Sequence, residues 1–206
     1  TRADVRLRRC ASAGEALPKE VGERFAARFG CDVLDGIGST EMLHIFLSNR
    51  PGEVRYGTTG TPVPGYDVEL RGEDGRLVAD GEIGDLFIRG PSAALMYWAN
   101  RAQSRATFQG EWTKSGDKYV RDADGYFTYS GRSDDMLKVA GQYVSPFEVE
   151  AALMRHDAVL EAAVVGRTEE GLTKTLAYVV LKPGHTGDDA MAGALNGADA
   201  ALGINI

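Results

Sequence analysis

Gly131-Arg132-Ser133-Asp134-Asp135-Met136-Leu137-Lys138-Val139-Ala140-Gly141-Gln142-Tyr143-Val144-Ser145-Pro146-Phe147-Glu148-Val149-Glu150 is the stretch on which the reading of this chain turns. Its front is dense in charge. Its end is a helix start: Ser145 can cap, Pro146 takes the first helical position, and Glu148 completes a capping box. Val149, Ala152, Leu153 and His156 then recur at helical spacing. Between front and end, Val139 to Val144 suits a mobile turn or a short hairpin. Charge, flexible turn and capped helix are what a joint between two rigid bodies needs. A surface hairpin followed by an ordinary helix fits the same spacing.

Working toward the N-terminus, Val5 to Ala11 reads as a strand. A small-residue turn, Ala11 to Pro18, opens a helix to Phe29, with Val21, Phe25 and Phe29 on one face and Gly30 as the stop. Cys31 to Leu34 is a short strand. Strand, helix, strand implies parallel pairing, so further strands are expected from outside this stretch, and the chain is expected to begin inside a domain. Asp35-Gly36-Ile37-Gly38-Ser39-Thr40-Glu41 follows. Its glycines would let backbone approach a ligand closely, and Glu41 offers a hard oxygen to a divalent cation. A Ser/Thr-capped helix start accounts for the same residues.

Gly57 to Pro62 resembles a phosphate-cradling loop, but neither a lysine nor a helix follows, so it reads as a turn into a β-subdomain. Tyr66 to Leu70 and Arg76 to Ala79 read as a hairpin, Gly84 to Arg89 as another strand, and Pro91 to Thr107 as irregular to helical. Lys118 to Arg121 and Tyr126 to Tyr129 read as a second hairpin across Asp122-Ala123-Asp124-Gly125. Short strands so closely spaced suggest a small barrel or curled sheet. Beyond the joint come a helix to about Arg155, strands Val159–Val165 and Thr175–Leu181, and an Ala/Gly/Asp-rich tail in which Asp188 to Leu195 is a poor helix.

Composition narrows the partners. The 206 residues are 43% hydrophobic and 26% charged, ordinary for a globular protein. A formal net charge of −7 argues against nucleic acid. No apolar run approaches the roughly 20 residues that span a bilayer. Two cysteines, Cys10 and Cys31, and three histidines give little support for structural zinc; buried free thiols are expected, and a cytoplasmic address follows.

Three stretches join polar groups to close-approach glycines: Gly14 to Leu17, Asp35 to Glu41, and Trp112 to Asp117. An ionised Asp117 can accept from both hydroxyls of a ribose, and Arg132 brings a fork donor for phosphate or ribose oxygens. Asp117 closing a turn and Arg132 pairing with a surface acid are the plainer alternatives. Ser12-Ala13-Gly14-Glu15-Ala16-Leu17-Pro18, Gly38-Ser39-Thr40-Glu41, Ser115-Gly116-Asp117 and Gly131-Arg132-x-Asp134-x-x-Leu137-Lys138-x-x-Gly141 occur in the order found in the adenylate-forming enzymes. Those are the acyl- and aryl-CoA ligases, carrier-protein adenylation domains and beetle luciferases, and the resemblance runs from about Leu7 to Leu181. Gly38 to Asn49 is similar to the benzoate–CoA ligase version of its motif.

The resemblance implies roles. Gly14, Glu15, Ala16, Asp35, Gly36 and Ile37 would line an adenine pocket. Thr40 would hold the nucleotide phosphate and Glu41 the Mg²⁺. Asp117 would grip the ribose beside Arg132, Asp134 would be the hinge, and Gly141 would border the channel for coenzyme A. Gly38, His44 and Ile45 would line a flat aryl pocket, although a core histidine also fits His44. ATP/AMP, Mg²⁺, coenzyme A and an aromatic carboxylate are the implied ligands, with no nucleic acid and no membrane. The implied fold is multidomain, α/β and α+β. It comprises the end of a large αβ adenylation domain (1–56), a β-barrel-like subdomain (57–131) and an incomplete α+β lid (132–206). The family's glycine-rich loop with its lysine, and its C-terminal lysine, have no counterpart here, and His156 is followed by Asp157 instead of proline. The expectation is a C-terminal fragment, inactive in adenylation on its own. A carrier-protein-loading domain and a non-catalytic nucleotide-binding module are the alternatives.

Overall fold

The structure, a computed structural model, describes residues 6–139, 142–169 and 172–200. The chain divides into two compact units, Thr1–Tyr129 and Ser130–Ile206, each with its own apolar core.

In the first unit, β1 (Cys10–Ser12) runs parallel to β2 (Val33–Gly38), joined through α1 (Lys19–Phe29). The parallel pairing is as read from the sequence. Of the strand expected over Val5 to Ala11, Val5 lies outside the described residues and residues 6–9 are not strand, because Arg6-Leu7-Arg8-Arg9 offers one apolar side chain and buries little. Gly30 ends α1 in the left-handed region, its N–H donating to Ala26 O. Of the helix face read from sequence, Val21 is exposed, while the Phe25 and Phe29 rings lie 4.6 Å apart. Cys31 is buried as expected, but Cys10 is only half-buried; both thiols are free, with their sulfurs 3.9 Å apart.

β2 runs further than expected. It takes in Asp35, Gly36, Ile37 and Gly38, which the sequence placed after the strand, and pairs antiparallel with β3 (Ile45–Ser48). The glycines allow close approach of backbone: a Cβ on Gly38 would lie 2.6 Å from the His44 carbonyl oxygen, and one on Gly36 2.9 Å from that of Leu47. Residues 39–44 form a turn, not a capped helix. Met42 N–H donates to Ser39 O and Leu43 N–H to Thr40 O, and Leu43 at φ 71 reverses the chain. β4 (Thr61–Pro62) then pairs with β3 to complete the first sheet, in the order β1-β2-β3-β4, while Gly60 just before it bridges to Phe127.

The second sheet holds β5 (Asp67–Arg71), β6 (Ile83–Arg89), β7 (Phe108–Gln109), β8 (Trp112–Arg121) and β9 (Phe127–Arg132), in the order β5-β6-β8-β7 with β9 on β8; α2 (Arg101–Thr107) precedes β7. The β8–β9 connection turns at Asp122–Gly125 as read from the sequence. Arg76 to Ala79 folds back on β5 as expected, through the Gly72–Gly75 turn, the Arg71–Leu77 bridge and a Val78 N–H bond to Leu70 O; the longer ladder of β5 is with β6. The apolar run Leu86-Phe87-Ile88 is buried whereas Leu77 is exposed, so β6 is the strand that gains from pairing. Both sheets contribute to one core, from Met42, Phe46 and Leu47 to Leu86, Ile88, Tyr119 and Phe127.

The second unit begins with the hairpin β10 (Leu137–Val139) and β11 (Gln142–Val144). α3 (Pro146–Leu153) follows, and Ser145 Oγ accepts from Glu148 N–H at 3.2 Å, half of the expected capping box. Glu148's carboxyl is instead buried beside Ser130, and burial pushes it up. His156 lies past the helix end, where its Nδ1 accepts from Ala158 N–H. β12 (Val159–Glu169) and β13 (Leu172–Leu181) form a long ladder that absorbs most of the expected loop. The tail is also better built than expected. α4 (Asp189–Ala200) is capped by Asp188, whose Oδ1 accepts from Met191 N–H at 2.8 Å, and Leu195 is buried with Val144, Val149, Leu153, Val159 and Val164. Burial of one apolar face outweighs poor intrinsic helicity. Among the described residues no helix is long and apolar enough to cross a membrane.

Candidate active site

Four groups of polar side chains gather in the first unit. The first surrounds Asp35. Its position in β2 faces Ser12 of β1 in the register, and its carboxyl accepts from the Ser12 hydroxyl and from the N–H groups of Leu17 and Gly36. Leu17 ends the loop that carries Gly14, Glu15 and Ala16, so this loop and Asp35 come together. Asp35 is 6% exposed, and its Oδ1 has no hydrogen-bond partner. Burial pushes its carboxyl up to about 6, against the pull of those donors. A buried acceptor left open suits an incoming N–H, such as the exocyclic amine of adenine.

The second group centres on Tyr119, whose hydroxyl lies 3.2 Å from Thr59 Oγ1. Burial pushes the Tyr119 phenol up, and the charges of Asp117 and Asp35 push the same way, so both carboxylates lie within electrostatic reach of one ring. Asp117 sits where the β6–β8 register slips: Asp85 faces Lys118 but Phe87 faces Lys114. Ser115, Gly116 and Asp117 therefore bulge opposite Leu86, with Gly116 at φ 85 and Asp117 N–H donating to Ser115 Oγ. A bulge re-aims a side chain out of the strand's alternation. The Ser-Gly-Asp motif thus acts within a strand, not at a turn.

The third group is the turn bearing Thr40 and Glu41. Tyr97 Oη donates to Glu41 Oε1 at 2.6 Å, and Ala94 N–H donates to Glu41 O at 2.7 Å. Burial and the Glu41 carboxylate both push the Tyr97 phenol up, which keeps its proton in place for that bond. Among the described residues there is no cluster of three or more His, Cys, Asp or Glu side chains placed to hold a metal. A single carboxylate fits Mg²⁺, which commonly takes one or two carboxylates and completes its shell with substrate phosphates and water.

The fourth group is built on His44, which is exposed at the end of the turn, next to Ile45 at the start of β3. His44 Nδ1 is 2.7 Å from Ile45 O, and Nε2 is 2.8 Å from Tyr66 Oη, with the two rings edge-on at 5.3 Å. Tyr66 Oη is also 2.6 Å from Ser92 Oγ, and Ser92 Oγ donates to Met42 O at 2.6 Å. A carbonyl only accepts, so Nδ1 carries a proton toward Ile45 and the serine proton goes to Met42. In a neutral imidazole, the single Tyr66 proton then serves both His44 Nε2 and Ser92 Oγ. His44 is not a core histidine.

In the second unit, Arg132 Nε donates to Asp134 Oδ1 at 3.2 Å, an exposed pair. Gly141 lies outside the described residues. Sequence reasoning missed Thr59, Tyr66, Ser92, Tyr97 and Tyr119 as parts of these groups. Each is distant along the chain from the residue it supports, so no local pattern marked any of them.

The chain as a whole is similar to known proteins. Residues 2–98 match the model of the AMP-binding enzymes, and residues 148–198 that of the AMP-binding enzyme C-terminal domain. The chain belongs to the AMP-binding, adenylate-forming enzymes. Within that family it is 62% identical over 190 residues to benzoate–CoA ligase of Thauera aromatica, covering 91% of this chain and 36% of that protein. It is 55% identical over 177 residues to the 4-hydroxybenzoate–CoA/benzoate–CoA ligase of Rhodopseudomonas palustris, covering 85% of this chain and 33% of that protein. A crystal structure of a benzoate CoA ligase from Burkholderia xenovorans LB400 superposes with a TM-score of 0.88 at 65% identity, over 96% of this chain and 40% of that one. An anthranilate CoA ligase, AuaEII, in complex with anthranoyl-AMP gives 0.85 at 48% identity, over 95% of this chain and 38% of that one. The chain spans about a third of the length of the curated relatives it matches.

Proposed function

We propose that this chain is part of an AMP-forming aryl-CoA ligase of the benzoate type. The observation that carries the reading is the 62% identity, over 91% of the chain, with a protein named benzoate–CoA ligase. The open acceptor on Asp35 supports it, since it is suited to the adenine amine. A carboxylate is a poor electrophile. One oxygen of the acid attacks the α-phosphorus of ATP, the bond to the leaving pyrophosphate breaks, and an acyl-adenylate forms. The thiolate of coenzyme A then attacks the acyl carbon, a C–S bond forms, and AMP departs with the electron pair of the broken C–O bond.

Asp35, with the Gly14–Ala16 loop and Gly36–Ile37, orients the base, and Asp117 accepts from the ribose hydroxyls with Arg132 as a further donor. Thr40 binds phosphate. Glu41, held by Tyr97, would hold Mg²⁺, which supplies charge neutralisation at the phosphates. Gly38, His44 and Ile45 border the aromatic ring of the acid. Asp134 serves as hinge between two half-reactions, with Gly141 beside the coenzyme A channel. The unit boundary after Tyr129 lies close to Asp134, and the Arg132–Asp134 pair is exposed and so inexpensive to break. ATP and coenzyme A place the reaction in the cytoplasm. The test is benzoate-dependent ATP–pyrophosphate exchange by the full-length protein, followed by coenzyme A-dependent release of AMP. Exchange no faster than in an acid-free control overturns the reading.

A further inference from the structure

We infer that Tyr66 is a specificity-determining residue that works through His44, by occupying the imidazole nitrogen that would otherwise be offered to the substrate ring. The inference rests on the reading that His44 borders the aryl pocket. Both ring nitrogens of His44 are committed within the protein. Nδ1 donates to Ile45 O at 2.7 Å, and Nε2 meets Tyr66 Oη at 2.8 Å. Tyr66 is itself fixed: it is buried, its hydroxyl also lies 2.6 Å from Ser92 Oγ, and Ser92 is tied to the Met42 carbonyl at 2.6 Å. The edge-on contact of the two rings limits rotation of the imidazole. His44 therefore presents carbon edge and ring face to its surroundings, with no nitrogen free. Such a surface takes an unsubstituted aromatic ring, and it gives a ring hydroxyl or amine no partner. A polar substituent desolvated there is penalised, because a site rejects a polar group it leaves unpaired.

Removing the Tyr66 hydroxyl reverses the situation. In Tyr66→Phe the Nδ1 bond to Ile45 persists, so Nε2 keeps its lone pair and loses its donor. It becomes an acceptor for a substituent O–H or N–H. The experiment measures kcat/KM of the full-length ligase for benzoate and for its ring-hydroxylated and ring-aminated derivatives, in wild type, Tyr66→Phe and His44→Ala. In Tyr66→Phe, the ratio of at least one hydroxy- or aminobenzoate to benzoate should rise about five- to tenfold, the worth of one recovered hydrogen bond. The double variant His44→Ala/Tyr66→Phe should lose that rise, which a merely structural role for Tyr66 would not predict. Nitrogen-detected NMR of the imidazole should show Nε2 shifting toward a free acceptor in Tyr66→Phe, with Nδ1 still protonated. If His44→Ala leaves the KM for benzoate unchanged, the aryl-pocket reading of His44 fails. If His44→Ala raises that KM while Tyr66→Phe leaves every substrate ratio within twofold of wild type, the pocket reading stands and the role of Tyr66 is refuted.

Discussion

Asp35→Asn tests a carboxylate that the first unit holds against its burial. The Asp35 carboxyl is raised from 3.8 to about 6 because burial outweighs its donors Ser12, Leu17 and Gly36. A folded value above the unfolded one means the native state binds more protons between these limits. Stability therefore falls as pH rises from about 4 to about 6, and the loss is complete above that window. The shift is about 2 units, and at about 1.4 kcal/mol per unit the ionised side chain costs up to about 3 kcal/mol at neutral pH. Asparagine removes the charge while its carbonyl oxygen keeps the donors. Its amide N–H then occupies the place of the open Oδ1 and returns part of the gain. The expected net is about 1–2 kcal/mol of added stability near pH 8 and, because only the charge contribution fades with protonation, a loss of about 1–2 kcal/mol below about pH 4. Thermal unfolding of nucleotide-free full-length protein across this range measures it, as a melting-temperature difference of a few degrees that changes sign between pH 4 and 6. A difference that does not vary with pH, or a variant less stable than wild type at pH 8, would refute the reasoning.

Other substitutions probe other joints. Gly38→Ala sets a Cβ 2.6 Å from the His44 carbonyl oxygen, with backbone that cannot yield cheaply. About 1–3 kcal/mol should be lost in denaturant unfolding, with the KM for the acid rising as His44 and Ile45 shift. Leu195→Ala opens a cavity beside Val149 and Leu153 and should lower the stability of the second unit by about 2–4 kcal/mol; hydrogen exchange of the α3 amides reports it. Ser145→Ala removes the acceptor for Glu148 N–H at the start of α3 and should cost about 1 kcal/mol by the same measurement. Tyr97→Phe removes the 2.6 Å donor to Glu41, and under the proposed metal role of Glu41 the Mg²⁺ concentration for half-maximal adenylation by the full-length protein should move severalfold; an unchanged Mg²⁺ profile would refute that role for the Tyr97–Glu41 pair.

What could be read directly was local. The Ser145 cap, the Pro146 start and the turn at Asp122–Gly125 rest on interactions between residues a few positions apart, and all three hold in the structure. The parallel β1–β2 pairing followed from strand–helix–strand order. Errors arose where partners are distant. The extension of β2 through Asp35 and its glycines depends on β3, which crosses those glycines at contact distance. Arg76–Ala79 closes back on β5 as the local pattern indicates, but the longer ladder of β5 is with β6, a partner that no local pattern marks. The tail looked weakly helical in isolation, and Leu195 gained its value only from a core assembled elsewhere.

The sequence by itself determined the family, because its motifs are contiguous runs whose residue types and order can be read without the fold. It also named Asp35, Glu41, Asp117 and His44. Only tertiary structure decided the condition of those groups. Burial raised Asp35, a slipped register aimed Asp117, Tyr97 came to hold Glu41, and Tyr66 with Ser92 closed on His44. Desolvation, register and hydrogen bonding across long sequence separations depend on which surfaces meet, and that information is not written in any single stretch of the chain.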